Sequence, residues 1–152
     1  MSPSELFWVL VGLASIAGSV WLNRHLFKAK LGVSGLEWAS YALGLAALVI
    51  GWYFNFAYLR EYGAEAGWWH WTKLLFGNSA AASGGQDLVI ANCILFPLWT
   101  ILDGRRDRMP QPWIYFVMSL VTSFAFAMAL FLAFQDRQRR FNATASSNAA
   151  AL

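Results

Sequence analysis

The chain has 152 residues, of which 59% are hydrophobic and only 12% charged, with a formal net charge of +3. Soluble domains carry about 25% charged residues, and disordered chains combine low hydrophobicity with high net charge, so neither class fits. So small a charge, held in short basic clusters between apolar runs, also excludes a nucleic-acid partner.

The expectation is therefore an all-α integral membrane protein with one domain over residues 1–141. The polar tail at 142–152, rich in Ala, Ser and Asn, is expected to be disordered. Crossing about 30 Å of hydrocarbon takes about 20 mainly apolar residues in a helix. Residues 6–23 form the first charge-free run, bracketed by Trp8 and Trp21. Trp and Tyr favour the two membrane interfaces, so that bracket fits a span. The segment before it is acidic where a signal peptide would be basic, so the run is read as a permanent span. Residues 38–59 form the second run, opened by Trp38 and closed by Tyr58 and Tyr62. The third, 88–102, is short and borrows the small uncharged residues 79–86. Pro97 inside it predicts a kink or local irregularity. The fourth, 109–135, opens on Pro110, Pro112, Trp113 and Tyr115 and is read as one further span.

Four transmembrane helices in a compact bundle follow. Small residues at four-residue spacing support close packing: Ala14 and Gly18, Ala47 and Gly51, then Ser119, Ser123 and Ala127. Four spans would place six basic residues (Arg24, Lys28, Lys30, Arg105, Arg106, Arg108) on one side. Five (Arg60, Lys73, Arg137, Arg139, Arg140) would lie with the termini on the other. The positive-inside rule does not decide between these.

The connection at 61–86 joins the second and third helices. A helix over 64–76 puts Trp68, Trp71 and Leu75 on one side and Glu65, Trp69 and Lys73 on another. That describes a short interfacial helix, or a lid over a cavity between the spans. Residues 77–85 are small and polar, with no phosphate-loop pattern. Asp87 is read as an N-cap of the third helix or, at a cavity mouth, as a ligand-holding or proton-transferring group. Asn78 is expected to join it in one polar cluster. Within the spans Asn55 and Asn92 need hydrogen-bond partners, and Asn92, Phe96 and Trp99 share a face. No acid lies deep in any run, which argues against ion transport. Cys93 is the only cysteine, and no metal-binding motif occurs.

The stretch Phe76-Gly-Asn-Ser-Ala-Ala-Ala, then Asp87-Leu88, Trp99, Gly104-Arg105-Arg106, Pro112-Trp113-Ile-Tyr115 and the final apolar helix before an Arg cluster resembles a bacterial membrane family. It is known as domain of unknown function 2834. The likeness covers about residues 50–140. It implies a small multi-spanning protein and carries no activity to transfer.

The leading expectation is a non-enzymatic protein of the bacterial inner membrane. It binds a lipid or hydrophobic small molecule, or serves as an accessory subunit of a larger complex or homo-oligomer, without cofactor or metal. Its candidate ligand-binding residues are Asn55, Trp68, His70, Trp71, Asn78, Asp87, Asn92 and Trp99. The alternative is an intramembrane enzyme acting on an isoprenoid or lipid, with Asp87 or Glu61 as its acid. An enclosed pocket on which Asp87 and Asn92 converge separates the two.

Overall fold

A computed structural model describes residues 3–150, and every element in it is helical. Helix α1 (Pro3–Leu22) starts on a proline, whose missing amide is not needed there, and ends at Asn23. A single turn, α2 (Arg24–Lys28), leads to α3 (Gly35–Tyr62). Ser34 caps α3: its Oγ accepts the Glu37 amide at 3.0 Å. At the far end Gly63 adopts φ +52°, a left-handed conformation that suits glycine, and its amide closes onto the Leu59 carbonyl. After the 3-10 turn Gly63–Glu65 comes α4 (Trp68–Leu75), the short amphipathic helix expected there.

Helix α5 (Ser79–Ile90) runs through a π turn (Ala91–Leu95) into α6 (Phe96–Arg106), so the third run does recruit its upstream small residues. The π turn directly precedes Pro97, which has no amide to donate to the preceding turn. Asn78, not Asp87, caps this helix, its Oδ1 accepting the Ala81 amide at 2.9 Å. Asp87 lies within α5 because helix formation starts a full two turns earlier than its expected N-cap position.

Three helical stretches are long and apolar enough to cross a membrane: Glu5–Leu22, Gly35–Glu65 and Ser79–Arg106. The outer faces of α1 and α3 expose Phe7, Leu10, Leu43, Leu45, Val49 and Phe54. A water-soluble fold does not leave so much contiguous apolar surface bare.

The fourth run is not one helix, and this corrects the four-span bundle. It breaks into α7 (Ile114–Val121) and α8 (Phe124–Ala150), separated by Thr122 and Ser123. In one continuous helix Tyr115 and Phe131 would stand about 24 Å apart. Their rings meet edge-to-face at 5.2 Å, and Tyr115 also meets Phe134 at 6.3 Å. The chain therefore reverses at Thr122–Ser123 and returns antiparallel to itself. The reversal is held by close approaches from two other helices. A Cβ on Gly51 would lie 3.1 Å from the Ser123 Cβ, and one on Gly12 would lie 3.3 Å from the Thr122 methyl.

This hairpin is the hub of the molecule. Helix α1 packs on α7, α3 packs on α8, and α6 touches both. The buried core is largely the hairpin itself: Tyr115, Met118, Ala127, Leu130, Phe131, Ala133 and Phe134. One end of the bundle carries the loop after α1, the α6–α7 turn and the polar part of α8. Asn23 Nδ2 donates to the Tyr115 hydroxyl (3.2 Å), and Gln135 Nε2 to Asp107 (2.7 Å). Glu37, fully buried, accepts from Arg137 (2.6 Å), from Arg140 and from the Tyr41 hydroxyl (3.0 Å). Arg137 also donates to the carbonyls of Leu26 (3.1 Å) and Leu31 (3.3 Å), tying α8 to the α1–α3 connection. The opposite end carries Glu5, which faces Arg60 at 3.6 Å, together with α4.

Helix α8 continues to Ala150, because Asn142 donates to the Asp107 carbonyl (2.9 Å) and the Ala-rich sequence favours helix. The last two residues lie outside the described ones.

Candidate functional site

The hairpin fills only one half of the bundle's length. Where it turns back, α1, α3 and α5 continue without a central element between them. The space left over is a chamber of about 480 Å3. Its walls are aromatic and aliphatic: Trp8 from α1, Trp52 and Phe56 from α3, Leu88 and Val89 from α5. Its floor is the reversal itself, with Ser119, Thr122 and Ser123. Helix α4 contributes Trp68 and Trp71 to the lining, and their rings meet edge-to-face at 6.1 Å.

Helix α4 is held there by a latch. The Tyr58 hydroxyl accepts the Gly67 amide at 3.0 Å and stands 3.0 Å from His70 Nδ1. The Tyr58 and His70 rings stack at 5.9 Å, and Tyr62 packs on His70 at 4.5 Å. On the other side of α4, Lys73 sits over the Trp69 ring at 5.5 Å, so the faces divide as the helical spacing predicts. Buried Gly85 allows α4 to rest on α5, since a Cβ there would lie 2.8 Å from the Leu75 carbonyl oxygen.

Of the residues singled out from sequence, Asn55, Trp68, Trp71 and Asn92 line this chamber. His70 stands behind the lining and acts on it through Tyr58. Asn78 is exposed and occupied as a helix cap. Asp87 is exposed, with the neighbouring Gln86 amide as its partner (2.6 Å). Nine positions of helix separate Asn78 from Asp87, so they do not form one cluster. Trp99 faces away, its Nε1 donating to Asp103 (2.9 Å) and its ring packing on Phe131 (5.2 Å). Glu61 is exposed at the end of α3 and does not line the chamber.

The two asparagines brace the floor. Asn55 Nδ2 reaches the Thr122 carbonyl at 3.5 Å. Ser119 Oγ donates to Asn92 Oδ1 at 2.7 Å. Sequence reasoning missed Ser123, Thr122, Tyr58, Trp8 and Trp52 as site residues. Ser119 and Ser123 were visible only as part of a small-residue stripe, and nothing local marks a reversal there. No Asp, Glu, His, Lys or Arg lines the chamber, and the described residues hold no group of three His, Cys, Asp or Glu placed to bind a metal.

A family model described as "Protein of unknown function DUF2834" matches residues 41–137, which include most of the chamber and the whole reversal. No curated protein and no solved structure matches the chain.

Proposed function

The chain belongs to the DUF2834 family of proteins of unknown function, and on its geometry we propose a non-enzymatic integral membrane protein that holds a lipid-soluble small molecule beneath α4. The chamber carries this reading. Small-molecule sites span about 300–1,000 Å3 and combine mostly apolar walls with a few placed polar groups. A volume of about 480 Å3, four tryptophans and a floor of Asn and Ser side chains fit that description. Catalysis on a lipid needs an acid or base at the substrate. Asp87 and Glu61 both lie outside the lining, which favours holding a ligand over breaking its bonds. The same chamber suits an accessory subunit that stores or presents such a molecule within a larger membrane complex.

In the same reading α1, α3 and the α5–α6 helix cross the membrane, and α7–α8 enters and leaves from one side. Irregular backbone at membrane depth is tolerated where it is buried in protein or lines a cavity, and Thr122–Ser123 meets both conditions. A re-entrant hairpin changes the charge count. Arg24, Lys28, Lys30, Arg105, Arg106, Arg108, Arg137, Arg139 and Arg140 now share one side, against Arg60 and Lys73 on the other. That asymmetry supports the arginine-rich end as cytoplasmic in a bacterial inner membrane, with the chamber opening outward.

Cys93 lines the chamber and provides the test. Purification in a mild detergent followed by native mass spectrometry should find a bound lipophile. Its removal should speed maleimide modification of Cys93, and Trp71→Ala should weaken its retention. Protein that carries no lipophile, with a Cys93 rate indifferent to added lipid extract, would overturn the reading.

A further inference from the structure

We propose that the α6–α7 turn holds the phosphate of an anionic phospholipid on Arg105 and Arg108. This site lies at the end of the bundle away from α4, is separate from the chamber, and requires only that the helices cross a bilayer.

Helix α6 closes in a Schellman turn. The Met109 amide donates to the Gly104 carbonyl (2.8 Å) and the Arg108 amide to the Arg105 carbonyl (3.1 Å). That geometry puts Arg108 in the left-handed region, at φ 61°, where glycine is the usual occupant. Gln111 also takes a left-handed φ, and its side chain has a use: Oε1 accepts the Trp113 indole N–H at 2.7 Å. The Arg108 side chain has none within the protein. It is exposed and meets no acid or hydrogen-bond partner among the described residues. Nor does the helix end require its charge, because Arg105 and Arg106 already stand in the last turn of α6. An arginine kept on a strained backbone with nothing to hold points to a partner outside the chain.

The surroundings supply no counter-charge. Asp103 accepts from Trp99 (2.9 Å) and Arg106 (3.2 Å), and Asp107 from Gln135 (2.7 Å) and Arg139 (2.8 Å). Glu37 and Asp136 are held by Arg137 and Arg140. Among the described residues every acid at this end is paired, and Arg24, Lys28, Lys30, Arg105 and Arg108 are left without one. The Arg105 and Arg108 backbones are joined by a hydrogen bond, so two guanidinium forks can reach one phosphate. The turn is pinned from both sides, since Met109 is buried and Pro112 closes on Gly104. Little ordering is then left for a ligand to impose. The depth suits a lipid headgroup. Trp21, Trp38 and Trp113 are exposed at this end, and tryptophan favours the membrane interface. Exposed Leu98, Leu102 and Val117 lie one to two turns deeper on α6 and α7, where acyl chains would run.

The test uses the full-length protein in micelles carrying equal amounts of phosphatidylglycerol and phosphatidylcholine. Native mass spectrometry reads the ratio of the two bound lipids, and thermal melts read stability. The wild type should prefer phosphatidylglycerol roughly tenfold or more, since each arginine near a headgroup contributes about fivefold. Arg108→Gly should lose about fivefold of that preference and melt at the same temperature or higher, because glycine suits the left-handed position. Arg105→Gln should lose a similar factor with melting unchanged. No preference in the wild type, or a preference that survives both substitutions, would overturn the proposal. So would an Arg108→Gly protein that melts lower and keeps the preference, which would make Arg108 a helix-end cation only. Glycerol phosphate that stabilises the lipid-free protein as well as phosphatidylglycerol does would assign the turn to free phosphate and overturn the lipid as occupant.

Discussion

The buried carboxylate of Glu37 gives the sharpest test of how the hairpin is anchored. Replacing it by Ala removes the acceptor for Arg137, for Arg140 and for the Tyr41 hydroxyl together. Arg140 is 29% exposed and keeps Asp136 at 2.9 Å, so water and that partner restore most of its loss. The Arg137 side chain is only 8% exposed and keeps the Leu26 and Leu31 carbonyls and the face of the Phe27 ring at 5.0 Å, so its charge stays buried without a counter-ion. Breaking a buried pair from one side costs about 3–5 kcal/mol. Partial relief at Arg140 places the expected loss toward the lower part of that range. Tyr41→Phe, which removes one hydrogen bond, should cost only about 0.5–1.5 kcal/mol. Reversible unfolding in mixed micelles, followed by tryptophan fluorescence, measures both. A Glu37→Ala protein within about 1 kcal/mol of the wild type would show that the cluster does not hold α8 to α3 as described.

Other consequences are smaller. Asp87→Ala should change stability by no more than about 0.5 kcal/mol and leave bound-lipophile content intact, since Asp87 is exposed and outside the chamber; native mass spectrometry and thermal melts check this. Gly104→Ala should destabilise by about 1–3 kcal/mol in the same unfolding assay, because a Cβ there would lie 2.4 Å from the Pro112 Cβ in the α6–α7 turn. Tyr58→Phe removes the hydroxyl that holds Gly67 and His70, so a spin label at Trp69 should become more mobile while global stability changes little.

Much of the helical plan was legible because hydrocarbon imposes long, charge-free, aromatic-bounded runs. The first two runs, the upstream extension of the third and an irregularity beside Pro97 all follow from composition and covalent geometry. The division of α4 into a Trp68/Trp71 face and a Trp69/Lys73 face follows from helical periodicity. The reversal at Thr122–Ser123 was not legible. No Gly, Pro or charge marks it, and its stabilisation comes from Gly12, Gly51 and Asn55, all more than 60 positions away in the chain. A cavity beneath the 61–86 connection was expected, but its floor, which the turn makes, was not. Asn55 and Asn92 were singled out correctly as amides in need of partners, but the partners are the floor of a cavity and a serine of the hairpin. Asp87 drew attention as the acid nearest a predicted helix start. It lost that role because Asn78 starts the helix two turns earlier.

The re-entrant hairpin is the claim on which chamber and orientation both depend, and one labelling pair tests it directly. In a Cys93→Ala background, single cysteines at Glu65→Cys and Ser146→Cys are probed in intact cells with a membrane-impermeant maleimide. The hairpin places these positions on opposite sides of the membrane, so Glu65→Cys should label from outside and Ser146→Cys only after the cells are opened. A fourth full span would put both on the same side, and identical labelling of the two positions would contradict the account.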